Sequence, residues 1–433
     1  MCGIAGFLNP RNNDKKTEKE IYQILRKMNE VQRHRGPDDE GIFWENGCAL
    51  GHVRLSILDL YMGHQPMCKK KEGNTYAIIL NGEIYNMKTL KEQLIKEGEM
   101  FSTTSDTEVV LTGYIRYGIS YIEELNGIFS IALWDGKRKK LYLIRDRVGV
   151  KPLFYTKRGD TLIFASEIKG LFAYPGVKPV INREGLCEIF GLGPAKSYGK
   201  GVFKDIYEVL PGHFLEYDRE GLKDRAYWEL KAKEHTDSEK DTIEHTRWLV
   251  KDAVEMQMLS DIPISTFLSG GVDSSLVTAI CAKKLQKEGK NLNTFSFDFV
   301  NNHKYFKSNA FQPSEDHPWV DKMVDHAKTD HRYLECDNEN MIENLYKAVD
   351  ARDLPCMADV ESSMLYFCSK VVKYNKVTLT GECADEIFGG YPWFHKEECF
   401  KAEIFPWSMD MQPRKMLLND DILQKVDLES YVR

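Results

Sequence analysis

Along the first half of the chain apolar residues come in short runs broken by turn formers; along the second half short apolar runs alternate with helical spacing. Residues 3–7, 52–57, 78–80, 129–134, 141–144, 153–155, 162–165 and 212–217 read as strands. Ile21, Leu25 and Met28 keep helical spacing, and a further helix is expected over 87–96 with Asn86 as its cap. Short successive strands flanked by helices predict sheets packed face to face and covered by helices, an α+β arrangement. The rhythm then changes. Strands over 262–268, 292–299, 332–336 and 376–380 alternate with helical spacing over 243–254, 274–283, 319–326 and 364–372. That α/β alternation predicts a parallel sheet whose ligands bind beyond the carboxyl ends of its strands. Residues 229–241, charged and almost free of apolar side chains, read as a linker between a domain over 2–218 and another over 242–433. An amphipathic tail is expected over 416–432.

Composition narrows the classes. The 433 residues suffice for two domains with cores, and 42% hydrophobic with 29% charged residues are the proportions of a soluble globular protein. Asp and Glu number 66 against 59 Lys and Arg, a formal charge of −7, so no nucleic-acid partner is expected. No apolar run of about 20 residues is present, so no membrane partner is expected. The start of the chain lacks a charged-then-apolar leader, which points to a cytoplasmic location. The ten cysteines form no C-x-x-C pair, the pattern of small buried side chains in a reducing compartment, and a zinc site is disfavoured.

Cys2 differs from the other nine by its position. Removal of Met1, which a small second residue permits, leaves Cys2 with a free α-amine of unperturbed pKa about 8, able to act as base for its own thiol. The small residues Gly3, Ala5 and Gly6 leave room for a substrate. Residues 33–38, Arg-His-Arg-Gly-Pro-Asp, are either a basic helix end with a Gly-Pro stop or a loop over an anionic substrate. Arg54 is either a surface ion-pair partner or, within a pocket, a planar fork for an α-carboxylate. Asn81 and Gly82, placed in a turn after the strand over 78–80, offer an amide and a backbone N–H to an oxyanion. Ser105 and Glu108 match a capping box, which leaves Asp106 to face a substrate ammonium or simply to sit in a first helical turn. Residues 145–152 read as architectural.

In the second half, Leu268-Ser269-Gly270-Gly271-Val272-Asp273-Ser274-Ser275 leaves a buried strand and opens a helix. Backbone N–H groups and the positive end of a helix dipole then converge, which suits a phosphate. No lysine follows as in the P-loop of kinases and GTPases. The segment resembles instead the pyrophosphate-binding loop of enzymes that split ATP into AMP and pyrophosphate. At another strand end, over 380–391, Glu382, Asp385 and Glu386 put three carboxylates within five residues. They suit magnesium and a general base, or are an acidic helix start ended by a glycine pair.

Cys2-Gly3-Ile4, residues 33–38, residues 81–86, Asp106 and residues 145–155 and 164–169 together resemble the glutaminase domain of class II amidotransferases, an Ntn-type αββα sandwich. The resemblance implies that Cys2 attacks the side-chain amide of L-glutamine and frees ammonia, and that Asn81 and Gly82 hold the oxyanion. It also implies that Arg54, Glu83 and Asp106 line the glutamine with them. Thr104-Ser105-Asp106 stands where that family commonly has Gly-Ser-Asp.

The second half resembles the PP-loop synthetase domain of glutamine-hydrolysing asparagine synthetases, with residues 298–318 and 353–363 as its intervening loops. That implies ATP as a substrate, with Leu268, Phe297, Thr380 and Gly381 at its base or ribose. Ser269, Gly270, Gly271, Asp273, Ser274 and Ser275 would hold pyrophosphate, Asp273 and Asp385 would hold Mg2+, and Glu382 would manage protons. The implied acceptor is L-aspartate, activated as an adenylate, with ammonia passing to it internally, and the implied assembly is a homodimer. Cys383 replaces a glycine of the family. The family continues beyond the Gly-Gly-Tyr motif with a lysine that has no counterpart after Tyr391, so the resemblance implies a synthetase either truncated or split, a separate C-terminal fragment being the partner in the second case. The rival expectations are a different acid acceptor, and a protein with glutaminase activity only.

Overall fold

The computed structural model describes residues 1–11, 16–309, 312 and 314–433. It divides into two compact units, Met1–Ile189 with Ala195–Lys233, and Phe190–Pro194 with Glu234–Arg433.

The first unit holds twelve strands: β1 (Gly3–Leu8), β2 (Asp39–Glu45), β3 (Cys48–Arg54), β4 (Met67–Lys71), β5 (Asn74–Ile84), β6 (Gly127–Asp135), β7 (Lys140–Arg145), β8 (Phe154–Arg158), β9 (Thr161–Ala165), β10 (Tyr207–Glu208), β11 (His213–Asp218) and β12 (Gly221–Ala226). They form two six-stranded sheets, β10-β8-β9-β1-β3-β2 and β12-β11-β7-β6-β5-β4, with antiparallel neighbours throughout. Ile4 and Leu8 of β1, Leu50 of β3, Ala77 and Ile79 of β5, Trp134 of β6, Leu143 of β7 and Phe164 of β9 are buried in one cluster contributed by both sheets. This is the interior of a sandwich, and each Ile, Leu and Phe among them adds about 1.5–3 kcal/mol by leaving water. The helix Glu18–Glu30, opened by a Thr17–Glu20 capping box, lays Ile21, Ile24, Leu25 and Met28 on β1 and β3. The helix Asp106–Tyr117 covers β5. The result is an αββα sandwich.

Several details differ from the sequence expectations, beginning with β2, β4 and β10, which are strands where none is expected, and the strand over 52–57, which ends at Arg54. Strand β5 does not stop at Leu80 but pairs with β6 through Ile84, so Asn81, Gly82 and Glu83 lie in a strand and not a turn. Asn86 precedes the helix Met87–Lys96 but does not cap it, because its amide bonds the Glu124 carbonyl and the Asn126 N–H at 2.9 and 3.0 Å. No capping box joins Ser105 and Glu108. Ser105 accepts from Thr107, while Glu108 accepts from the N–H groups of Ser102 and Thr103 and pairs with Lys69 at 2.8 Å. Finally, β12 follows β11 as an edge strand whose polar residues gave no apolar alternation.

The second unit is built on four parallel strands, β13 (Ile264–Phe267), β14 (Asn293–Phe299), β15 (Asp330–Cys336) and β16 (Val377–Leu379), in the order β15-β14-β13-β16. The chain leaves β13 toward β14 on one side and returns to β16 on the other, so the order reverses between β13 and β16, where open α/β sheets bind ligands. Helices Glu239–Gln257, Val272–Lys287 and His317–Ala327 bury Val254, Cys281, Ala282 and Ala327 with Ile264 and Leu292. The first of them takes in residues 239–241 of the charged segment, since Ser238 caps it. The stretch 416–432 is not one amphipathic element but the end of a loop and two short helices, Asp420–Leu423 and Leu428–Val432. Residues 310, 311 and 313 of the loop over 298–318 lie outside the described residues. Among the described residues no helix is long and apolar enough to cross a membrane.

Candidate functional site

Each unit carries a constellation, the first at the head of β1. Cys2 precedes the strand and is half-buried. Its Sγ accepts the Leu55 N–H at 3.4 Å and donates to the Leu55 carbonyl at 3.7 Å. Its own carbonyl accepts from Arg35 Nε at 2.9 Å, and Arg35 Nη1 is in turn held by Glu167 at 2.9 Å. Ser166 exchanges hydrogen bonds with the backbone of Ile4, so the start of the strand is fixed from two directions. The basic run over 33–38 thus holds Cys2 in place through Arg35.

Electrostatics set the protonation states there. Burial raises the Cys2 thiol, against the Leu55 bond and the nearby chain terminus, so the sulfur carries its proton at neutral pH. Burial lowers the α-amine at the terminus, that of Met1, to about 6; Arg35 and Lys151 add to the lowering, while Cys2 and Glu83 oppose it. An amine with that pKa is mostly unprotonated at pH 7 and can take a proton.

Asn81, fully buried on β5, donates from Nδ2 to Ser130 Oγ at 3.4 Å, and its Oδ1 has no partner among the described residues. Gly82 has φ +146, and a Cβ there would meet the Ile128 carbonyl at 2.0 Å, so only glycine fits. Arg54 is 6% exposed, and its Nη2 donates to the carbonyls of Leu58 and Asp59 at 2.9 and 2.7 Å. With both Nη2 hydrogens engaged, the planar fork expected from the sequence is not free for a two-pronged grip, and Arg54 offers a substrate carboxylate its charge and single hydrogen bonds from Nη1 or Nε. Burial, then the neighbouring Asp106, pushes Glu83 well above the carboxylate range. Burial also raises Asp106, against N–H donors from Ile84 at 3.0 Å and Thr107 at 2.7 Å. Asp106 is therefore not idle, but two interacting buried carboxylates beside one arginine match the two charged ends of an amino acid.

The second constellation lines a cavity of about 1130 Å³ at the carboxyl edge of the parallel sheet. Leu268, Ser269, Gly271, Asp273, Ser274, Phe297, Thr380, Gly381, Glu382 and Asp385 all line it; Gly270 and Ser275 do not. Gly270 instead provides the tight turn, with φ +79 and a Cβ position 2.6 Å from Trp319 Cβ. No side chain caps the helix Val272–Lys287 at Gly271, which leaves its first N–H groups for a ligand. Ser274 is a strut as much as a donor: its Oγ meets Ser269 Oγ at 3.0 Å, accepts the Ser269 N–H at 3.2 Å and donates to the Gly271 carbonyl at 3.3 Å. Phe297 stacks on Phe367, ring centres 4.2 Å apart.

The loop after β16 closes the opposite wall. A Cβ on Gly381 would lie 2.8 Å from Ser274 N and 2.9 Å from Asp273 Cβ, so the two motifs touch where only glycine fits. Burial and then Asp385 raise Asp273, which places the two carboxylates in one field. Among the described residues no group of three or more His, Cys, Asp and Glu is close enough to form a protein-only metal cage. One or two carboxylates completed by phosphate oxygens are, however, the donor set Mg2+ ordinarily takes, and Asp273 with Asp385 fits it. Glu382 and Cys383 are exposed at the rim. Cys383 has φ 70, a left-handed conformation that favours glycine.

Of the cations at the first site, Arg35 lies in the run over 33–38 that the sequence marks with two readings, whereas Lys151 falls in the stretch read as architectural, since burial of a cation leaves no local signature. At the second site sequence reasoning missed Asp298, Glu335, Asp316, His317 and Tyr333, which line the same cavity. The first two are signalled by position alone, at the carboxyl ends of β14 and β15.

Comparisons with known proteins agree with this division. Residues 1–228 match the model of the glutamine amidotransferase domain, and residues 245–433 match that of asparagine synthase. The chain is 45% identical over 433 residues to asparagine synthetase [glutamine-hydrolyzing] 3 of Bacillus subtilis, covering all of this chain and 70% of that protein. It is 34% identical over 432 residues to asparagine synthetase [glutamine-hydrolyzing] 1 of the same organism, covering 97% of this chain and 63% of that one. It is 31% identical over 413 residues to amidase chyE of Penicillium rubens, covering 92% and 60%. A thiol at the head of a sandwich strand, a phosphate loop at the turning point of a parallel sheet and the similarity along the whole chain agree: this protein belongs to the glutamine-hydrolysing asparagine synthetase family.

Proposed function

We propose that the chain makes L-asparagine from L-aspartate, using ammonia from L-glutamine and driven by cleavage of ATP to AMP and pyrophosphate. At the first site the Cys2 sulfur attacks the glutamine amide carbon while its proton passes to the α-amine. The tetrahedral oxyanion rests on the Asn81 amide and the Gly82 N–H, and collapse breaks the C–N bond, releasing ammonia and leaving a thioester. Water then frees glutamate and restores the thiol. Arg54 takes the substrate carboxylate, and Glu83 with Asp106 takes its ammonium, which returns both acids to their charged form.

At the second site an aspartate side-chain oxygen attacks the α-phosphorus of ATP and pyrophosphate leaves. Ammonia attacks the acyl carbon, AMP leaves, and Glu382 accepts the released proton. Leu268, Phe297, Thr380 and Gly381 hold base and ribose, while the turn over 269–275 holds pyrophosphate through backbone N–H groups. Mg2+ on Asp273 and Asp385 would supply positive charge to the departing phosphates.

The observation that carries the reading is the Cys2 thiol at the head of β1, held by Leu55 and Arg35 and electrostatically coupled to Arg54 and Glu83, with Asp106 next to Glu83. Incubation with glutamine, ATP, Mg2+ and aspartate tests it. Asparagine and AMP are expected; glutamate alone, or ADP in place of AMP, overturns it. A different acid acceptor is the second reading, since a relative similar over most of this chain carries a name other than asparagine synthetase. It predicts AMP only when another acid replaces aspartate.

A further inference from the structure

Lys151, a buried cation with no part in the steps above, stands against the head of β1. It is 7% exposed, and its Nζ lies 3.1 Å from Met1 Sδ. Its backbone is pinned on both sides: the N–H donates to Asp146 Oδ2 at 2.9 Å, and the carbonyl accepts from Arg145 Nε at 2.9 Å. Arg145 is itself fixed by the carbonyls of Val209 and Gly149 and by Glu208 at 3.1 Å. No carboxylate among the described residues pairs with Nζ. A buried ammonium without a close counter-ion is kept at a cost in stability.

The charged groups facing Lys151 are Arg35, Glu83 and Asp146, with the Cys2 thiol. Asp146 is occupied by N–H donors from Phe129, Val148, Val150 and Lys151. Arg35 is paired with Glu167, and burial drives Glu83 toward its neutral acid. Lys151 therefore presents the least compensated charge to the chain terminus. Once Met1 is removed, that terminus is the α-amine of Cys2, one residue from the sulfur that Nζ touches.

We propose that Lys151 is a positioning residue for the glutaminase step: its ammonium, pinned at the head of β1, keeps the terminal amine of mature Cys2 uncharged and ready to accept the thiol proton. The proposal rests on the glutaminase reading above. In the step it serves, the S–H proton moves to the amine, the C–S bond forms, the C–N bond breaks, and the proton leaves on ammonia. The lowering of the Met1 amine, in which Lys151 takes part after burial and alongside Arg35, acts in the required direction.

The test uses full-length protein whose loss of Met1 is verified by intact mass, as wild type, Lys151→Met and Lys151→Arg. Two curves are recorded against pH: acetylation of the Cys2 α-amine by acetic anhydride, read by peptide mass, and kcat/KM for glutamine hydrolysis. In Lys151→Met the acidic limb of both curves is expected to move up by about one pH unit, a fall of roughly tenfold on that limb that vanishes at high pH. Lys151→Arg is expected to keep the wild-type limb. An unmoved acetylation curve in folded Lys151→Met, or a fall equal at every pH, overturns the proposal. If acetylation shifts while wild type hydrolyses no glutamine, the effect of Lys151 on the amine stands and the glutaminase reading fails.

Discussion

The two sites of this chain are built in opposite ways. The one at the head of β1 is made of side chains buried within or against a sandwich, each tied to the fold: Arg54 to the carbonyls of Leu58 and Asp59, Asp106 to two N–H groups, Asn81 to Ser130. The one at the end of β13 is made largely of backbone and small residues around an open cavity, and its acids Glu382 and Glu386 are exposed. The contrast follows from the chemistry. A covalent attack needs a fixed nucleophile and tuned protonation, which burial supplies. Holding phosphates needs oriented N–H groups and room, which a glycine turn at a helix start supplies. Damage should therefore act through chemistry at the first site and through shape at the second.

The largest expected effect is that of Cys2→Ala. Glutamine-dependent turnover should fall by at least about 10³-fold while turnover with added ammonium survives, measured as asparagine formed under each nitrogen source. Loss of both would break the separation of the sites. Next is Gly381→Ala, whose added methyl must displace Asp273 or Ser274. ATP affinity by calorimetry should weaken roughly 10- to 100-fold, as a misplaced phosphate site commonly does, with glutamine hydrolysis unchanged.

The third prediction separates the units by acid. At Glu167 burial opposes the charge, but His34, Arg35 and Lys169 outweigh it and hold the carboxyl at about 2. A depressed folded pKa gives stability that is full above the unfolded value and is lost as pH falls toward 2. For this side chain, 8% exposed, the amount is roughly 3 kcal/mol. Glu167→Gln should remove about that share of the stability lost between pH 5 and pH 2.5, measured by urea unfolding, while the share of other lowered carboxylates such as Glu108 remains. The smallest effect is a gain: Cys383→Gly relieves a left-handed φ of 70 and should stabilise by about 1 kcal/mol in chemical unfolding.

The same contrast governs what the sequence made legible. The turn over 268–275 is local: strand, small residues and helix are contiguous and can be placed from spacing, although the helix begins at Val272, two residues before the expected 274. Cys2, Arg54 and Asp106 were marked by residue type and fall in one unit, but what surrounds them is non-local. Asn81-Gly82-Glu83 looks like a turn, yet nine consecutive pairs with β6 hold it extended. Ser105 and Glu108 have capping-box spacing, yet Lys69, from β4, competes for Glu108 and wins. Lys151, in a stretch that reads as architectural, is buried at the head of β1. In each case a partner distant in sequence overrides a local preference.

The contact at Gly381 has one more consequence. Because a hydrogen is all that separates this residue from Asp273 and Ser274, the rim after β16 and the turn after β13 share one wall. Neither lip can move toward the other without a clash, so a side chain added to one of them is felt by both.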